Sequence, residues 1–505
     1  MSFFAKSWAS CWTIFSSSES SKETIACLRR GLSAPSLPPG NPGPPRPNGP
    51  HSPARGPFRR LPLAEDSRRV TTAAPSLARV LSPVQVTAGG VGIIIGAGIY
   101  VLIGEATAEA GGAVWASFLL AAVLCGLTGL SYCELAAAYP TAAAEYEYSR
   151  RAFPEVVAFL VGWLMMTALV VAAATVSLGF GRYVGHFFDV EPRVAALGLL
   201  AALFLLSASG IRQAGAVMLL LSLIQVGGLA LVIAIGLPSL GDHSLTQSTG
   251  PAGIVGGAAL VFFAFIGFDE VITLGEETAD PVRTVPRALL TALAISTVLY
   301  MLTAVAAVSA IGADALGSSE RPLADVVAKV AGGASSDVVA AAALISTTNT
   351  TLLALTAGSR MLYAMAARGA VPRWLSSVTR RTKVPLASIT VVTAIAALSV
   401  VAADLSILAQ VTDLAIYVVF TSVNVAVIVL RYREPETPRP FRAPGAVGRL
   451  PILPVLALLA AIVMFSGVDL EAAVACAGIS VVGLAAGLLL DVRSPLRRRL
   501  GGAGG

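Results

Sequence analysis

Two glycines two residues apart interrupt an apolar run at Ile93–Tyr100, IIIGAGIY, and a third interrupts Phe262–Glu277, FFAFIGFDEVITLGEE, just before Asp269 and Glu270. In a helix, each glycine costs about 1 kcal/mol relative to alanine. Unwinding a helix in hydrocarbon also bares N–H and C=O groups, which is tolerated only where protein, water or a ligand pairs with them. Glycine eases the departure from helical geometry and lets a ligand approach the main chain closely. A helix that restarts after a break turns free N–H groups and a positive dipole end toward an anion. A segment that stops at a break offers free carbonyls to a cation. The two together suit a zwitterion, and the smallest common one is an α-amino acid. The competing reading makes these glycines small-residue packing faces between helices; a break in each of two separate spans favours binding.

Such breaks need a membrane scaffold around them. The chain is 55% apolar and only 13% charged over 505 residues, with a mean hydropathy of +0.78, far outside soluble averages. Twelve segments are apolar and long enough to cross about 30 Å of hydrocarbon as helices. They run over about 84–103, 113–139, 156–181, 194–210, 214–238, 252–275, 288–312, 337–362, 385–403, 407–430, 451–467 and 471–490. The expectation is an all-α polytopic membrane protein, without the alternating short segments of an outer-membrane barrel. The breaks fall in the first and sixth spans at similar depths. The sixth span stands five places after the first, so the two enter from opposite faces and both breaks reach the middle. That is a 5+5 inverted repeat, with 84–238 and 252–430 as its halves, two further helices over 451–490, and a tail over 491–505.

The basic balance reads as topology rather than as nucleic-acid binding. With both termini cytoplasmic in a cell membrane, only Arg182, Arg193, Arg321 and Lys329 fall outside. Clusters at Arg373, Arg380, Arg381 and Lys383, at Arg431, Arg433, Arg439 and Arg442, and at Arg497–Arg499 fall inside. Residues 1–80 are proline-rich and are expected to be a disordered tail. The five cysteines and three histidines have neither disulfide nor zinc spacing, so no metal or cofactor is expected. There is no GxSxG or His-based catalytic set either, which argues against an enzyme.

The chain resembles the amino acid permeases of the amino acid, polyamine and organocation superfamily, in particular the cationic amino acid transporter branch. The residues that carry the likeness are IIIGAGIYVLIG, YCELAAAYPTAAAEYEYSR with AFLVGW, FFAFIGFDEVITLGEETADPVRTVPRAL, NTTLLALTAGSRMLYAMAARGAVP and LRYREPETPRPFRAPG, in this order, between about Val84 and Asp491. The resemblance implies the same inverted-repeat fold and a secondary transporter of neutral or cationic amino acids, working by alternating access through exchange, facilitation or proton symport. A permease-like sensor that binds without transport is the alternative. It further implies that the substrate carboxylate meets the N–H groups of Ala97, Gly98 and Ile99, and that the amine meets the carbonyls of Ile94, Phe263 and Ile266. Phe263 stands at the position of an aromatic lid, and Gly96 and Gly267 stand as hinges.

Asp269 matches an acidic position linked to transport in such relatives. It and Glu270 could take up a proton or pair with a basic group as gates move, or both could be solvated near the inner mouth. Glu276, Glu277 and Asp280, beside Arg283 and Arg287, read as a salt-bridge network. Asn349 is polar within an apolar eighth span, after Ser346, Thr347 and Thr348, where relatives build part of the pocket. Two departures matter. Gln225 occupies the fifth-span position of a lysine that faces the first break, and glutamine can bond that backbone but supplies no charge. Ala143 and Ala144 replace a usual Gly-Gly pair, which makes the first inner loop stiffer or more helical.

Overall fold

The computed structural model describes residues 82–139, 144–210, 215–278, 280–379, 382 and 384–501. The expected tail over 1–80, with Cys11, Cys27 and His51, lies outside them, as do Ala143, Arg380, Arg381 and Lys383. The described chain is almost wholly helical: α1 (Pro83–Ile94), α2 (Gly98–Ala110), α3 (Val114–Ala138), α4 (Ala144–Ala152), α5 (Glu155–Val184), α6 (Pro192–Ala208), α7 (Gly215–Gly236) and α8 (Pro251–Val261). After two 3₁₀ segments follow α9 (Pro281–Ile311), α10 (Ala313–Gly317), α11 (Pro322–Ala331), α12 (Gly333–Ala367), α13 (Leu386–Ala402), α14 (Leu405–Arg433), α15 (Ile452–Phe465) and α16 (Leu470–Gly501). One small hairpin pairs Ala446 with Pro451 and Val447 with Leu450.

Local chemistry sets the helix starts. Ser82 and Gln85 form a reciprocal cap on α1, the Ser82 N–H donating to Gln85 Oε1 at 2.8 Å and the Gln85 N–H to Ser82 Oγ at 3.4 Å. Proline opens α6, α8, α9 and α11, where its missing N–H would be unpaired in any case.

Among the described residues, each of the twelve apolar segments read from the sequence overlaps a helix, the first and sixth with an interruption. Eight helical stretches among the described residues are long and apolar enough to cross a membrane, while α1, α6, α13 and α15 are apolar but shorter. Leu205, Leu398, Ile462 and Val481 point their side chains outward and exposed, which water would penalise and lipid would not. The last helix runs on to Gly501, 11 residues past the expected end of its span at 490.

The core sits around α5, which packs along α12 and α14, while α9 packs on α3 and α1, and α8 on α2 and α3. Between α3 and α14 lies a polar seam. Arg431 grips Glu134 with two bonds, Nε to Oε1 at 2.8 Å and Nη2 to Oε2 at 2.5 Å, and the Ala443 N–H adds a third at 2.8 Å. Asn424 continues the seam, its Nδ2 donating to Thr128 Oγ1 at 3.1 Å and its Oδ1 accepting from Ser131 at 2.6 Å. Three of the four bases expected outside are paired: Arg182 with Glu105 at 2.8 Å, Arg193 with Asp404 at 2.8 Å, and Arg321 with Asp325 at 4.0 Å.

The salt-bridge network expected after the sixth span is corrected in part. Asp280, Arg283 and Arg287 are exposed and form no ion pair with one another. Solvated pairs gain little, so nothing forces them together. The side chains of Glu276 and Glu277 lie outside the described residues.

Candidate functional site

Both interrupted spans leave their helices. At the first, α1 ends at Ile94, and Ile95 turns away with ψ 79°. The Gly96 N–H folds back onto the Ile94 carbonyl at 2.8 Å, the Ala97 N–H donates to Thr350 Oγ1 of α12 at 3.2 Å, and α2 restarts at Gly98. No side chain caps α2. The N–H groups of Gly98, Ile99 and Tyr100 find no acceptor among the described residues, as expected for a first helical turn, although all three residues are buried. Gly98 has a steric reason to be glycine: a Cβ there would stand 2.5 Å from Ala264 Cα, inside contact distance of the second break.

At that second break, α8 stops at Val261. Phe262–Phe265 forms a 3₁₀ turn, Ile266 extends with ψ 134°, and Gly267 takes φ +108°, which side chains other than hydrogen rarely adopt. The chain then continues as 3₁₀ over Phe268–Glu277. The Phe263 carbonyl accepts from the Ile266 N–H at 3.2 Å.

One group touches both breaks. The Tyr300 hydroxyl of α9, fully buried, lies 2.9 Å from the Ile94 carbonyl and 2.9 Å from the Ala264 carbonyl. It has a single proton and so can donate to only one of them at a time. A second tyrosine, Tyr100, donates to the Gln225 carbonyl of α7 at 2.5 Å.

The expected site residues fall as follows. Ile94, Ala97, Gly98, Ile99 and Phe263 are buried at the two breaks, Ile266 is half-buried, and Gly96 and Gly267 lie within the irregular stretches. Phe262, Phe265 and Phe268 join rings around Tyr417, Phe420, Tyr300 and Tyr132. Phe263 makes no ring contact among the described residues, so its side chain stands apart from that cluster. Gln225 reaches the first span through its main-chain carbonyl, while its side-chain Nε2 is buried without a partner. Asn349 is buried with Oδ1 unpaired, and it is the next residue, Thr350, that meets the break.

Asp269 is half-buried and Glu270 exposed. Both lie near Glu145 of α4, which is buried and accepts from Tyr132 at 3.3 Å. Burial, and then the charge of Asp269, push the Glu145 carboxyl up to about 7. Among the described residues, no three His, Cys, Asp or Glu side chains gather as metal ligands would.

Sequence reasoning missed Tyr300, Thr350 and Asp413. Asp413 of α14 is wholly buried, with neither carboxyl oxygen hydrogen-bonded. The Phe263 amide lies beside it but outside hydrogen-bond geometry. Ser346, Asn349, Gln225 and Asp413 thus carry unpaired buried polar atoms on the three helices that flank the breaks. Native interiors seldom leave such atoms unpaired unless water or a ligand serves them.

The amino acid permease family model matches residues 81–481. The branched-chain amino acid permease BcaP of Bacillus subtilis (strain 168) is 28% identical over 432 residues, covering 80% of this chain and 91% of its own length. The methylthioribose transporter of the same organism is 29% identical, covering 79% of this chain and 90% of its own. The vacuolar cationic amino acid transporter 2 of Arabidopsis thaliana is 31% identical, covering 71% of this chain and 61% of its own.

Proposed function

Because this chain belongs to the amino acid permease family, a family of multi-pass membrane transporters, we infer that it carries α-amino acids, neutral or cationic, across a membrane by alternating access. The carrying observation is the contact of the two helix breaks: bare N–H groups at the start of α2 on one side, and the Ile94 and Ala264 carbonyls sharing one Tyr300 proton on the other. A substrate carboxylate takes the N–H groups of Gly98 and Ile99 at a helix N-terminus. The substrate ammonium approaches the Ile94 carbonyl while the Tyr300 proton turns to Ala264. The three ammonium protons serve the Ile94 carbonyl, which keeps its bond from Gly96, together with the carbonyls of Phe263 and Ile266, since a carbonyl accepts two bonds. Phe263, apart from the aromatic cluster, covers the bound solute.

The scaffold in this reading has twelve crossings. Residues 84–238 and 252–430 form the inverted repeats, 451–490 the added pair, and 1–80 and 491–505 the cytoplasmic tails. The matched lengths of α1, 12 residues, and α8, 11 residues, before their breaks support the pseudo-symmetry. Relatives named for branched-chain and for cationic amino acids support the substrate class, and one named for methylthioribose marks the competitor to test against it.

The purified protein in liposomes is tested for uptake of labelled leucine, alanine, lysine and arginine, and separately of labelled methylthioribose. Saturable uptake of any of these amino acids supports the reading. Binding without uptake favours a sensor, and methylthioribose uptake alone overturns the amino acid assignment.

A further inference from the structure

Asp413 lies nine residues into the 29-residue α14, wholly buried, with both carboxyl oxygens unbonded among the described residues. Glu134, the other fully buried acid touching α14, is held by two arginines and a backbone N–H. Asp413 has none of these. Its nearest base along the helix, Arg431, is about 27 Å away at 1.5 Å per residue. The titratable groups facing it are the Cys125 thiol of α3 and the Tyr417 phenol one turn along α14. The Tyr417 hydroxyl is directed to the Ala259 carbonyl of α8 at 3.4 Å. From α4, α5, α15 and α16 no described titratable side chain acts on it.

An ionised carboxylate so placed needs a positive partner, because burying an isolated charge is among the most expensive acts a chain can perform. No three His, Cys, Asp or Glu side chains gather here among the described residues. A proton needs neither ligands nor space. On losing it, the carboxylate has the Phe263 amide at hand, on the irregular stretch of the sixth span, and a charge-assisted bond to that N–H is stronger than a neutral one. Gln225, by contrast, is buried and uncharged at every working pH.

We propose that Asp413 is the proton-binding site of this transporter, its carboxylate taking the Phe263 amide when the proton leaves and thereby linking proton movement to the substrate site. This rests on the permease reading above. The protonated acid leaves the Phe263 stretch free to rearrange, and the ionised acid holds it. The residue acts on the substrate through Phe263, without touching the substrate itself.

The test uses the full chain in liposomes loaded with a pH-sensitive dye. Wild type is expected to accumulate its amino acid under an inward proton gradient and to acidify the lumen as it does so. In Asp413→Asn, gradient-driven accumulation falls about tenfold further than counterflow exchange, within the usual range of two-site coupling, and substrate-evoked acidification is lost. Asp413→Glu restores both with a shifted pH profile. An infrared carboxyl band that titrates with bulk pH in wild type and vanishes in Asp413→Asn supplies a readout independent of transport. Amino acid uptake without proton entry in wild type overturns this proposal and leaves the permease reading standing. Proton coupling undiminished in Asp413→Asn overturns it too. Failure of wild type to move any amino acid overturns both.

Discussion

Gly98 and Ala264 are in backbone contact: a methyl group on the first would intrude to 2.5 Å of the second residue's Cα. Two spans far apart in sequence meet where both have left their helices, and hydrogen is the one side chain that fits between them. Gly98→Leu is therefore expected to lower uptake by roughly a hundredfold, the order of loss that misplacing a bound solute by an ångström brings, while membrane insertion is unaffected. Uptake kinetics and surface labelling read the two separately. Normal kinetics would remove the carboxylate cradle from this position.

Tyr300→Phe keeps the ring against Phe265, with centroids 5.2 Å apart, and deletes the proton shared by Ile94 and Ala264. The net worth of such a bond is about 1 kcal/mol, or about fivefold in affinity. A KM change in either direction, with maximal rate moving separately, identifies the hydroxyl as part of the site. Unaltered KM and rate would make it packing alone.

Glu145 adds a pH dependence. Its folded value, about 7, lies above the ordinary 4.5, so docking of α4 is fully stabilised below about 4.5. That contribution is lost as pH rises through about 7, where the carboxyl must ionise in a buried site beside Asp269. Hydrogen exchange of residues 144–152, corrected for intrinsic rate, is expected to quicken between about pH 5 and pH 8. In Glu145→Gln the profile is expected to be flat. An equally steep profile in that variant would assign the effect elsewhere.

Glu134→Ala strands Arg431 and Arg439 in the protein interior. Breaking a buried pair in this way costs about 3–5 kcal/mol, and a clear fall in the thermal midpoint in detergent is expected. Replacing Glu134 and Arg431 together by leucine and methionine should recover much of the loss. If the single variant melts like wild type, the seam between α3 and α14 contributes nothing to stability.

The framework was legible because hydrocarbon imposes a coarse rule on composition: long apolar runs and glycine interruptions are visible in one dimension. IIIGAGIY and FFAFIGF announced their breaks, and α1 and α8 do stop there. What stayed hidden depends on which way a helix faces. Tyr300 sits in the ordinary-looking stretch STVLYML, and only the packing of α9 on α1 turns its hydroxyl to the first break. Thr350 rather than Asn349 meets Ala97 because neighbouring residues on a helix face about 100° apart, a difference no span prediction resolves. Asp413 was visible as a charge inside an apolar run. That it lacks any partner is a property of α3, α8 and α14 together.

The Tyr300 hydroxyl leaves a shortage of hydrogens at the junction: two oxygens compete for its one proton, and although the Ile94 oxygen also holds the Gly96 N–H, its second lone pair stays empty whenever that proton turns to Ala264. A guest bringing an ammonium ends the competition, whereas a guest with only an acid or an aliphatic tail leaves it in place. Entry would thus be granted first on the number of donors a molecule carries at its head, and only afterwards on the shape of what trails behind.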